Sequence, residues 1–182
     1  RNVVDLDFSV KKNIFNLSEH LNKKPENLTA CILDRPRHKE IINELKKLKV
    51  NTKLISDGDV SGALLVTDDK YDVDIFLGVG GGPEGVLAAT ALDAFGCSFQ
   101  GRFLFQTEED KKRATYMGIK DFSKKYEINQ IVSGDSIFCA TGITSGDLVS
   151  GITIEGDEFI SETFVTHKDS ELKKVIKLKQ NI

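Results

Sequence analysis

The stretch Thr29-Ala-Cys-Ile-Leu33 is followed directly by Asp34-Arg-Pro-Arg-His38, and this succession decides the fold class that the sequence predicts. Five consecutive uncharged residues, mostly apolar, are typical of a strand that is buried on both faces. Pro36 suits the first position of a helix, and an apolar stripe within Ile41–Leu48 continues the helical pattern. The stretch therefore predicts a buried strand, a polar loop and a helix, in that order.

A predicted helix over Val10–Leu21 precedes this stretch, and the same succession of strand, loop and helix occurs twice more after it. In the first repetition the strand is Thr52–Ile55, the loop Asp57–Asp59 and the helix Val60–Val66. In the second the strand is Val73–Leu77, the loop Gly78–Gly82 and the helix Pro83–Phe95. Strands that alternate with helices of this length pair in parallel through right-handed crossovers. This part of the chain therefore predicts a parallel sheet.

The pattern changes in the second half of the chain. We predict a strand over Cys97–Phe105, a charged helix over Glu108–Met117 and a buried strand over Ile137–Ala140. Three later segments are rich in β-branched and aromatic residues and predict an antiparallel edge or hairpin: Gly151–Ile154, Phe159–His167 and Leu172–Lys179. The whole chain, residues 1–182, is thus predicted to be a single α/β domain, a layered sandwich with a mostly parallel mixed sheet.

The composition and charge argue against nucleic-acid and membrane partners. The chain has 182 residues and a mass of 20.1 kDa, and its 25 basic and 28 acidic residues give a net charge of −3. Nucleic-acid binders usually carry a basic excess, so a nucleic-acid partner is not expected. No apolar run reaches the roughly 20 residues of a membrane span, so a membrane partner is not expected either. We predict a cytoplasmic protein.

The cysteines support a reducing compartment. Cys31, Cys97 and Cys139 are odd in number and far apart, which is atypical of a disulfide framework or a zinc site. All three lie in apolar or strand-like surroundings, and we interpret them as buried small apolar side chains.

Polar or glycine-rich loops follow each strand of the predicted parallel sheet. They are Asp34–His38, Ser56–Asp59 and Gly78–Gly85, with Ala140–Gly142 after a fourth strand. Ligands of open α/β sheets bind outside the carboxyl ends of the strands, and parallel strands bring these ends to one edge. The sequence therefore predicts one ligand site at this edge.

Two arginines in the first loop indicate a phosphate ligand. Arg35 and Arg37 lie two residues apart at the start of a helix, where guanidinium groups and backbone N–H groups can both donate to phosphate oxygens. The alternative is a pair of exposed arginines that bind acidic neighbours such as Asp34. His38 has no acid partner in the sequence, so we interpret it as a structural or surface histidine.

The acidic residues of the other two loops allow two interpretations each. Asp57 and Asp59 could accept hydrogen bonds from sugar hydroxyls or bind a hard cation, or they could form a turn with Asp59 as helix N-cap. Glu84 could bind Mg²⁺ or Mn²⁺, or it could simply stabilise the helix N-terminus. The segment Gly80–Gly85 also satisfies the dinucleotide-binding pattern G-x-G-x-x-G, although Pro83 removes a donor and Glu84 adds a negative charge.

At these residues the sequence resembles the class II, bacterial-type fructose-1,6-bisphosphatases. The resemblance covers nearly the whole chain and rests on five motifs in the family's order: Leu33–His38, Ile55–Val60, Gly78–Val86, Gln100–Arg102 and Ala140–Leu148. It implies a sugar phosphatase of the lithium-sensitive superfamily that depends on a divalent cation, Mn²⁺ or Mg²⁺. Such enzymes remove the 1-phosphate of fructose 1,6-bisphosphate in gluconeogenesis, and in some lineages that of sedoheptulose 1,7-bisphosphate.

The resemblance also implies roles for individual residues. Glu84 would bind the divalent cation, and no catalytic residue is assigned to this chain. The residues that would contact the sugar bisphosphate are Arg35, Pro36, Arg37, Asp57, Gly58, Asp59 and Gly81.

One departure from the family concerns its N-terminal half. That half carries the other carboxylate metal ligands, including an Asp-Pro-(Ile/Leu)-(Asp/Glu)-Gly-Thr motif that has no counterpart here. The chain therefore resembles the C-terminal domain of a two-domain enzyme that is expected to be a homo-oligomer when intact, and we expect this chain alone to be inactive. The alternatives are a non-catalytic sugar-phosphate-binding module and a dinucleotide-binding domain.

Overall fold

A computed structural model describes residues 3–181, so Arg1, Asn2 and Ile182 of the predicted 1–182 domain lie outside the described residues. Its helices are α1 (Val10–Leu21), α2 (Lys39–Lys47), α3 (Asp59–Leu64), α4 (Gly82–Asp93), α5 (Glu108–Tyr116) and α6 (Ile128–Ile131). Its strands are β1 (Thr29–Leu33), β2 (Asn51–Ile55), β3 (Ile75–Phe76), β4 (Gln100–Gly101), β5 (Tyr126–Glu127), β6 (Ile137–Thr141), β7 (Thr153–Glu155), β8 (Glu158–His167) and β9 (Leu172–Asn181). The mixed α/β class is confirmed.

The first three strands form the predicted parallel sheet. Its order is β2-β1-β3, with Leu33 opposite Ile55 and Cys31 opposite Phe76. β1 is central, and all five of its residues are buried, as the apolar run predicts. β3 is shorter than predicted, but the N–H groups of residues 74 and 77 still donate to carbonyls of β1, so this segment runs beside β1 as expected.

Helices cover both faces of this sheet. On one face, Ile14 and Leu17 of α1 and Leu45 of α2 pack with Ala30 and Ile75 of the strands. On the other face, the turn that follows α3 packs against β1, where Leu65 contacts Cys31. The helix that follows β1 and the helix that follows β2 therefore lie on opposite faces of the sheet.

The expected single mixed sheet is wrong, because the antiparallel strands form sheets of their own. β8 pairs with β6 and β7 along one side and with β9 along the other, all antiparallel. Helices α3 and α4 separate this sheet from the parallel one, and their buried residues Leu64 and Leu92 pack with Phe138 of β6 and Phe164 of β8. The second half of α4 is buried between the two layers at Ala88, Ala89, Ala91 and Leu92, whereas Val86 and Leu87 nearer its start are about half exposed.

The predicted strand over Cys97–Phe105 is also wrong for most of its length. Only β4 pairs, antiparallel to β5. The aromatic residues beyond it lie in a cluster instead. The ring centroids of Phe103 and Tyr126 are 5.7 Å apart, and those of Phe105 and Phe122 are 5.2 Å apart. Aromatic content here reflects side-chain packing and not strand pairing.

The cysteines are not all buried. Cys31 is buried, and burial raises the pKa of its thiol to about 11, whereas Cys97 is half-buried and Cys139 is exposed. Successive side chains of a strand point to opposite faces of the sheet, and Phe138 of β6 faces inward. Its neighbour Cys139 therefore lies on the outer face of the antiparallel sheet, where Ile154 and Leu178 are also exposed. Within residues 3–181, the helices are all too short or too polar to cross a membrane.

Candidate functional site

The strand order predicts a ligand crevice at the carboxyl ends of β1 and β3. The chain leaves β1 toward β2 on one side, and then returns to β3 on the other side of β1. Such a switch point leaves an open crevice above the central strand, and open α/β sheets bind ligands there. The loops that follow the three strands in the structure, residues 34–38, 56–58 and 77–81, all leave this edge of the sheet. The second and third are shorter than predicted, because α3 begins at Asp59 and α4 at Gly82.

Arg35 and Asp57 bring the first two loops together. The Arg35 Nη2 atom lies 4.0 Å from the Asp57 Oδ1 atom, and both side chains are substantially exposed, at 39% and 94%. The acidic neighbour of Arg35 is thus Asp57 and not Asp34. An exposed pair at this distance contributes little to stability, so both groups remain available to a ligand.

Arg37 and His38 connect the first loop to the glycine-rich loop. The Arg37 Nε–H donates to the Val79 carbonyl oxygen at 2.7 Å, and the Val79 N–H donates to His38 Nε2 at 2.8 Å. His38 is completely buried. Of the two predicted alternatives, a structural or a surface histidine, His38 is therefore the structural one.

Asp59 and Glu84 lie against the glycine-rich loop from two sides. A Cβ atom at Gly80 would collide with Asp59 Oδ2, and one at Gly81 would collide with Glu84 Oε2. The missing side chains of these two glycines therefore leave space for the two carboxylates. Glu84 occupies the first turn of α4, close to the N-cap residue Gly81, where the helix dipole favours a negative charge.

The interpretation of Asp59 as a helix N-cap is wrong. The N-cap of α3 is Gly58, whose φ of 82° lies in the left-handed region that favours glycine. Asp57 Oδ1 accepts a hydrogen bond from the Gly58 N–H at 2.9 Å. The Asp-Gly-Asp segment is thus a tight turn that presents Asp57 to solvent and Asp59 to the glycine-rich loop.

The fourth predicted loop does not follow a strand of the parallel sheet. Ala140–Gly142 follows β6, which pairs antiparallel with β8 in the other sheet. The loop beyond it nevertheless reaches the parallel sheet, because Asp147 Oδ2 lies 3.0 Å from Lys53 Nζ of β2. The structure therefore brings together residues from three of the four loops.

The side chains of the motif residues Gln100 and Arg102 bind the N-terminal acidic segment, residues 5–7. Gln100 Oε1 accepts from the Leu6 N–H at 2.8 Å, and Arg102 Nη2 donates to Asp7 at 2.6 Å. Lys125 Nζ donates to both carboxylate oxygens of Asp5, at 2.6 and 2.7 Å. Sequence spacing gave no signal for these contacts, which join residues about a hundred positions apart.

Acid is expected to weaken the binding of Asp5 and Asp7 to Lys125 and Arg102. The hydrogen bond from Lys125 lowers the pKa of Asp5 below its ordinary value of 3.8, and the hydrogen bond from Arg102 does the same for the pKa of Asp7. Because the folded pKa values lie below those of the unfolded chain, the stabilisation is complete above about pH 4 and is lost as the pH falls through the folded values. Thermal melts between about pH 5 and about pH 3 measure this loss.

Replacement of Lys125 tests the origin of the acid effect. In Lys125→Met the melting temperature should be lower near neutral pH and should fall less between about pH 5 and about pH 3. Lys111→Met, which removes an exposed pair with Glu108, is the matched control and should keep the wild-type slope. Equal slopes in Lys125→Met and the wild type would contradict the assignment.

Comparison with known proteins gives a consistent result. The family model described as "Bacterial fructose-1,6-bisphosphatase, glpX-encoded" matches residues 1–180. A protein of Synechococcus sp. (strain JA-3-3Ab), named D-fructose 1,6-bisphosphatase class 2/sedoheptulose 1,7-bisphosphatase, is 34% identical over 180 residues, which are 92% of this chain and 52% of the relative. The fructose-1,6-bisphosphatase class 2 of Haemophilus influenzae is 33% identical over 190 residues, 96% of this chain and 57% of the relative.

These matches extend over nearly all of this chain but only part of each relative. The chain spans about half the length of the curated relatives that it matches. The match to the family model, from residue 1 to residue 180, includes all three loops at the edge of the parallel sheet. This chain therefore belongs to the glpX-encoded family of bacterial fructose-1,6-bisphosphatases.

Proposed function

We propose that this chain provides the sugar-phosphate site and one metal ligand of an enzyme that hydrolyses the 1-phosphate of fructose 1,6-bisphosphate. The observation that carries the proposal is the convergence of three loops at the switch point of the parallel sheet. Arg35 and Asp57 lie on two of these loops next to each other, and Glu84 lies in the first turn of α4 against Gly81 of the third loop. Guanidinium and carboxylate groups around one crevice suit a ligand with both phosphate and hydroxyl groups.

The proposed roles follow from the chemistry of each group. Arg35 and Arg37 bind the phosphate that is not hydrolysed, Arg37 through its terminal nitrogens because its Nε–H already donates to Val79. Asp57 and Asp59 accept hydrogen bonds from sugar hydroxyls. Three further residues are proposed to contact the ligand where the loops approach it: Pro36, Gly58 and Gly81.

Glu84 is the proposed ligand of a divalent cation, Mn²⁺ or Mg²⁺. Its exposed carboxylate offers the oxygen donors that these ions prefer. A cation bound there would lower the pKa of a coordinated water and neutralise negative charge on the phosphate. Residues 3–181 contain no group of three or more His, Cys, Asp or Glu side chains that could hold a metal ion. The remaining ligands are therefore proposed to come from another part of a longer protein.

The same reasoning extends the proposal to the whole enzyme. Residues 1–182 would be its C-terminal domain, with the layered sandwich of the lithium-sensitive phosphatase superfamily, and an N-terminal half would complete the metal site. The chain spans about half the length of its curated relatives, which is consistent with a second half of similar size. We propose that the intact protein is a cytoplasmic homo-oligomer.

One observation favours a second function, a non-catalytic sugar-phosphate-binding module. The lack of a metal cluster within the described part of the chain leaves a site that can bind phosphate without hydrolysing it. The geometry favours the dinucleotide interpretation least. Glu84 lies against Gly81 at the start of α4, where a dinucleotide pyrophosphate would have to bind.

A ligand panel tests the proposed function. At about 100 times its Kd, fructose 1,6-bisphosphate should raise the melting temperature of this chain by roughly 5–10 °C. Fructose 6-phosphate, which lacks one phosphate, should raise it less, and NAD should leave it unchanged. A larger shift with NAD than with the bisphosphate would contradict the proposal.

Gly81→Ala should weaken cation binding without unfolding the protein. Gly81 has φ −73° and ψ 151°, which alanine adopts without strain, but the new Cβ atom would displace the Glu84 carboxylate. We expect the Mn²⁺ affinity to fall by about tenfold, the usual scale when a metal ligand loses its position. Paramagnetic broadening of the amide signals near Glu84 measures this affinity.

Gly85→Ala is the matched control for this substitution. Nothing lies within 4 Å of a Cβ atom at Gly85, which is one residue beyond Glu84 in α4. Alanine there should leave the Mn²⁺ affinity unchanged and stabilise the helix by up to about 1 kcal/mol. If Gly81→Ala kept the wild-type affinity, Glu84 would not be the cation ligand.

A further inference from the structure

We infer that His38 is a positioning residue of the proposed site, which holds the glycine-rich loop at the carboxyl end of β1. The inference rests on the proposed function and adds a residue to which neither the sequence motifs nor the family resemblance gave a role. His38 makes one hydrogen bond to each side of the crevice. One is to the carbonyl oxygen of Leu33, the last residue of β1, and the other is to the N–H of Val79.

The partners of the two ring nitrogens define the tautomer. His38 Nδ1 lies 2.8 Å from the Leu33 carbonyl oxygen, which can only accept, so Nδ1 carries the proton. His38 Nε2 lies 2.8 Å from the Val79 nitrogen, whose N–H can only donate, so Nε2 accepts. Both ring nitrogens are therefore used by backbone groups, and the ring has no free nitrogen for proton transfer. This excludes a role as general acid or base in this arrangement.

The loop that His38 binds has few means of holding its own position. Residues 78–82 contain four glycines and Val79, and glycine has more backbone freedom to lose on ordering than any other residue. Val79 is anchored at both of its backbone polar groups, because its N–H donates to His38 and its carbonyl oxygen accepts from Arg37 Nε. Of these two anchors, Arg37 is exposed and His38 is completely buried.

The position of this loop determines the position of the proposed ligand-binding groups. The Asp59 carboxylate occupies the space that a side chain at Gly80 would need, the Glu84 carboxylate does the same at Gly81, and α4 begins at Gly82. The phosphate-binding arginines lie on the same loop as His38 itself. His38 therefore sets the distance between the arginine side and the carboxylate side of the crevice.

Two substitutions separate the two hydrogen bonds of His38. In His38→Gln the side-chain oxygen can take the place of Nε2 and accept from the Val79 N–H, while the bond to Leu33 is lost. In His38→Asn the side-chain amide can take the place of Nδ1 and donate to Leu33, while the bond to Val79 is lost. Both variants remove the buried ring, so both carry a similar cost in folding stability.

The first arm of the experiment measures how firmly the loop is held without ligand, from the hydrogen-exchange rate of the Val79 amide in the 182-residue chain. We expect His38→Asn to speed this exchange by about 5- to 100-fold, the range for loss of one buried hydrogen bond, and His38→Gln to stay near the wild type. The second arm measures the affinity for fructose 1,6-bisphosphate. We expect it to fall by about tenfold or more in His38→Asn and by less than about threefold in His38→Gln.

The outcomes distinguish this inference from the proposed function. Equal exchange rates and equal affinities in the two variants would overturn the inference, because a purely structural histidine would not distinguish them. Faster exchange of Val79 with unchanged affinity would also overturn it, since the loop would then move without consequence for the ligand. A wild-type chain that binds no fructose 1,6-bisphosphate would contradict the proposed function, while the exchange comparison would still decide whether His38 holds the loop.

Discussion

No phosphatase turnover is expected from the 182-residue chain when it is incubated with Mn²⁺ and fructose 1,6-bisphosphate. Hydrolysis of phosphate monoesters is among the slowest uncatalysed reactions, and it depends on metal ions that position water and stabilise the leaving oxygen. Glu84 alone can bind such an ion only weakly and cannot position it for catalysis, and residues 3–181 contain no group of three or more His, Cys, Asp or Glu side chains that could hold a metal ion. We expect a rate at least about a thousandfold below that of an intact enzyme.

Release of inorganic phosphate measures this rate, with the Haemophilus influenzae relative as the intact enzyme. That relative is about twice as long as the matched region and is named fructose-1,6-bisphosphatase class 2. A rate for the 182-residue chain within about tenfold of the relative's would show that this half is sufficient for catalysis. The proposed division of metal ligands between two halves would then be wrong.

Arg35→Ala should weaken fructose 1,6-bisphosphate binding by about 10- to 100-fold, the range for loss of a charge-assisted hydrogen bond. The melting temperature should stay close to that of the wild type, because the pair with Asp57 is exposed and its atoms lie 4.0 Å apart. Isothermal titration and thermal melts measure the two effects separately. This separation distinguishes a ligand-binding residue from a structural one.

Arg113→Ala is the matched control for this loss of positive charge. Arg113 lies in α5, is 72% exposed, and pairs with Asp110 in the same helix. Its removal should leave bisphosphate affinity unchanged. If both variants bound the bisphosphate equally well, Arg35 would not contact the phosphate and the residual attraction would have to come from other groups.

Local patterns predicted most of the first half of the fold. The apolar run of β1, the helical periodicity of α1 and the glycine-rich break before α4 are all short-range signals, and each element lies within a few residues of its predicted position. Parallel pairing followed from the alternation of strands and helices. Because parallel strands end at one edge, the meeting of their loops was predictable as well.

The arrangement of the second half was not predictable in the same way. Antiparallel strands can extend a parallel sheet or form a sheet of their own, and the choice depends on what α3 and α4 pack against. Here both helices lie between the sheets, with Leu64 and Leu92 against Phe138 and Phe164. The same separation leaves an outer sheet face on which Cys139 is exposed, a result that residue type alone does not predict.

Within the candidate site, residue chemistry was predictable but contacts were not. The arginines, aspartates and Glu84 stood out because charged groups after strands are typical of ligand sites. The bonds of His38 to Leu33 and Val79 span 5 and 41 residues, and no local pattern indicates the longer one. The same holds for Gln100 and Arg102, which carry part of the family resemblance and whose side chains bind residues 6 and 7.

A backbone-amide NMR titration of this 182-residue chain with fructose 1,6-bisphosphate tests the convergence of the three loops most directly. The signals of residues 35–38, 57–59 and 79–82 should all shift and should follow a single saturation curve. Shifts confined to one loop, or loops that saturate with different affinities, would contradict a common crevice.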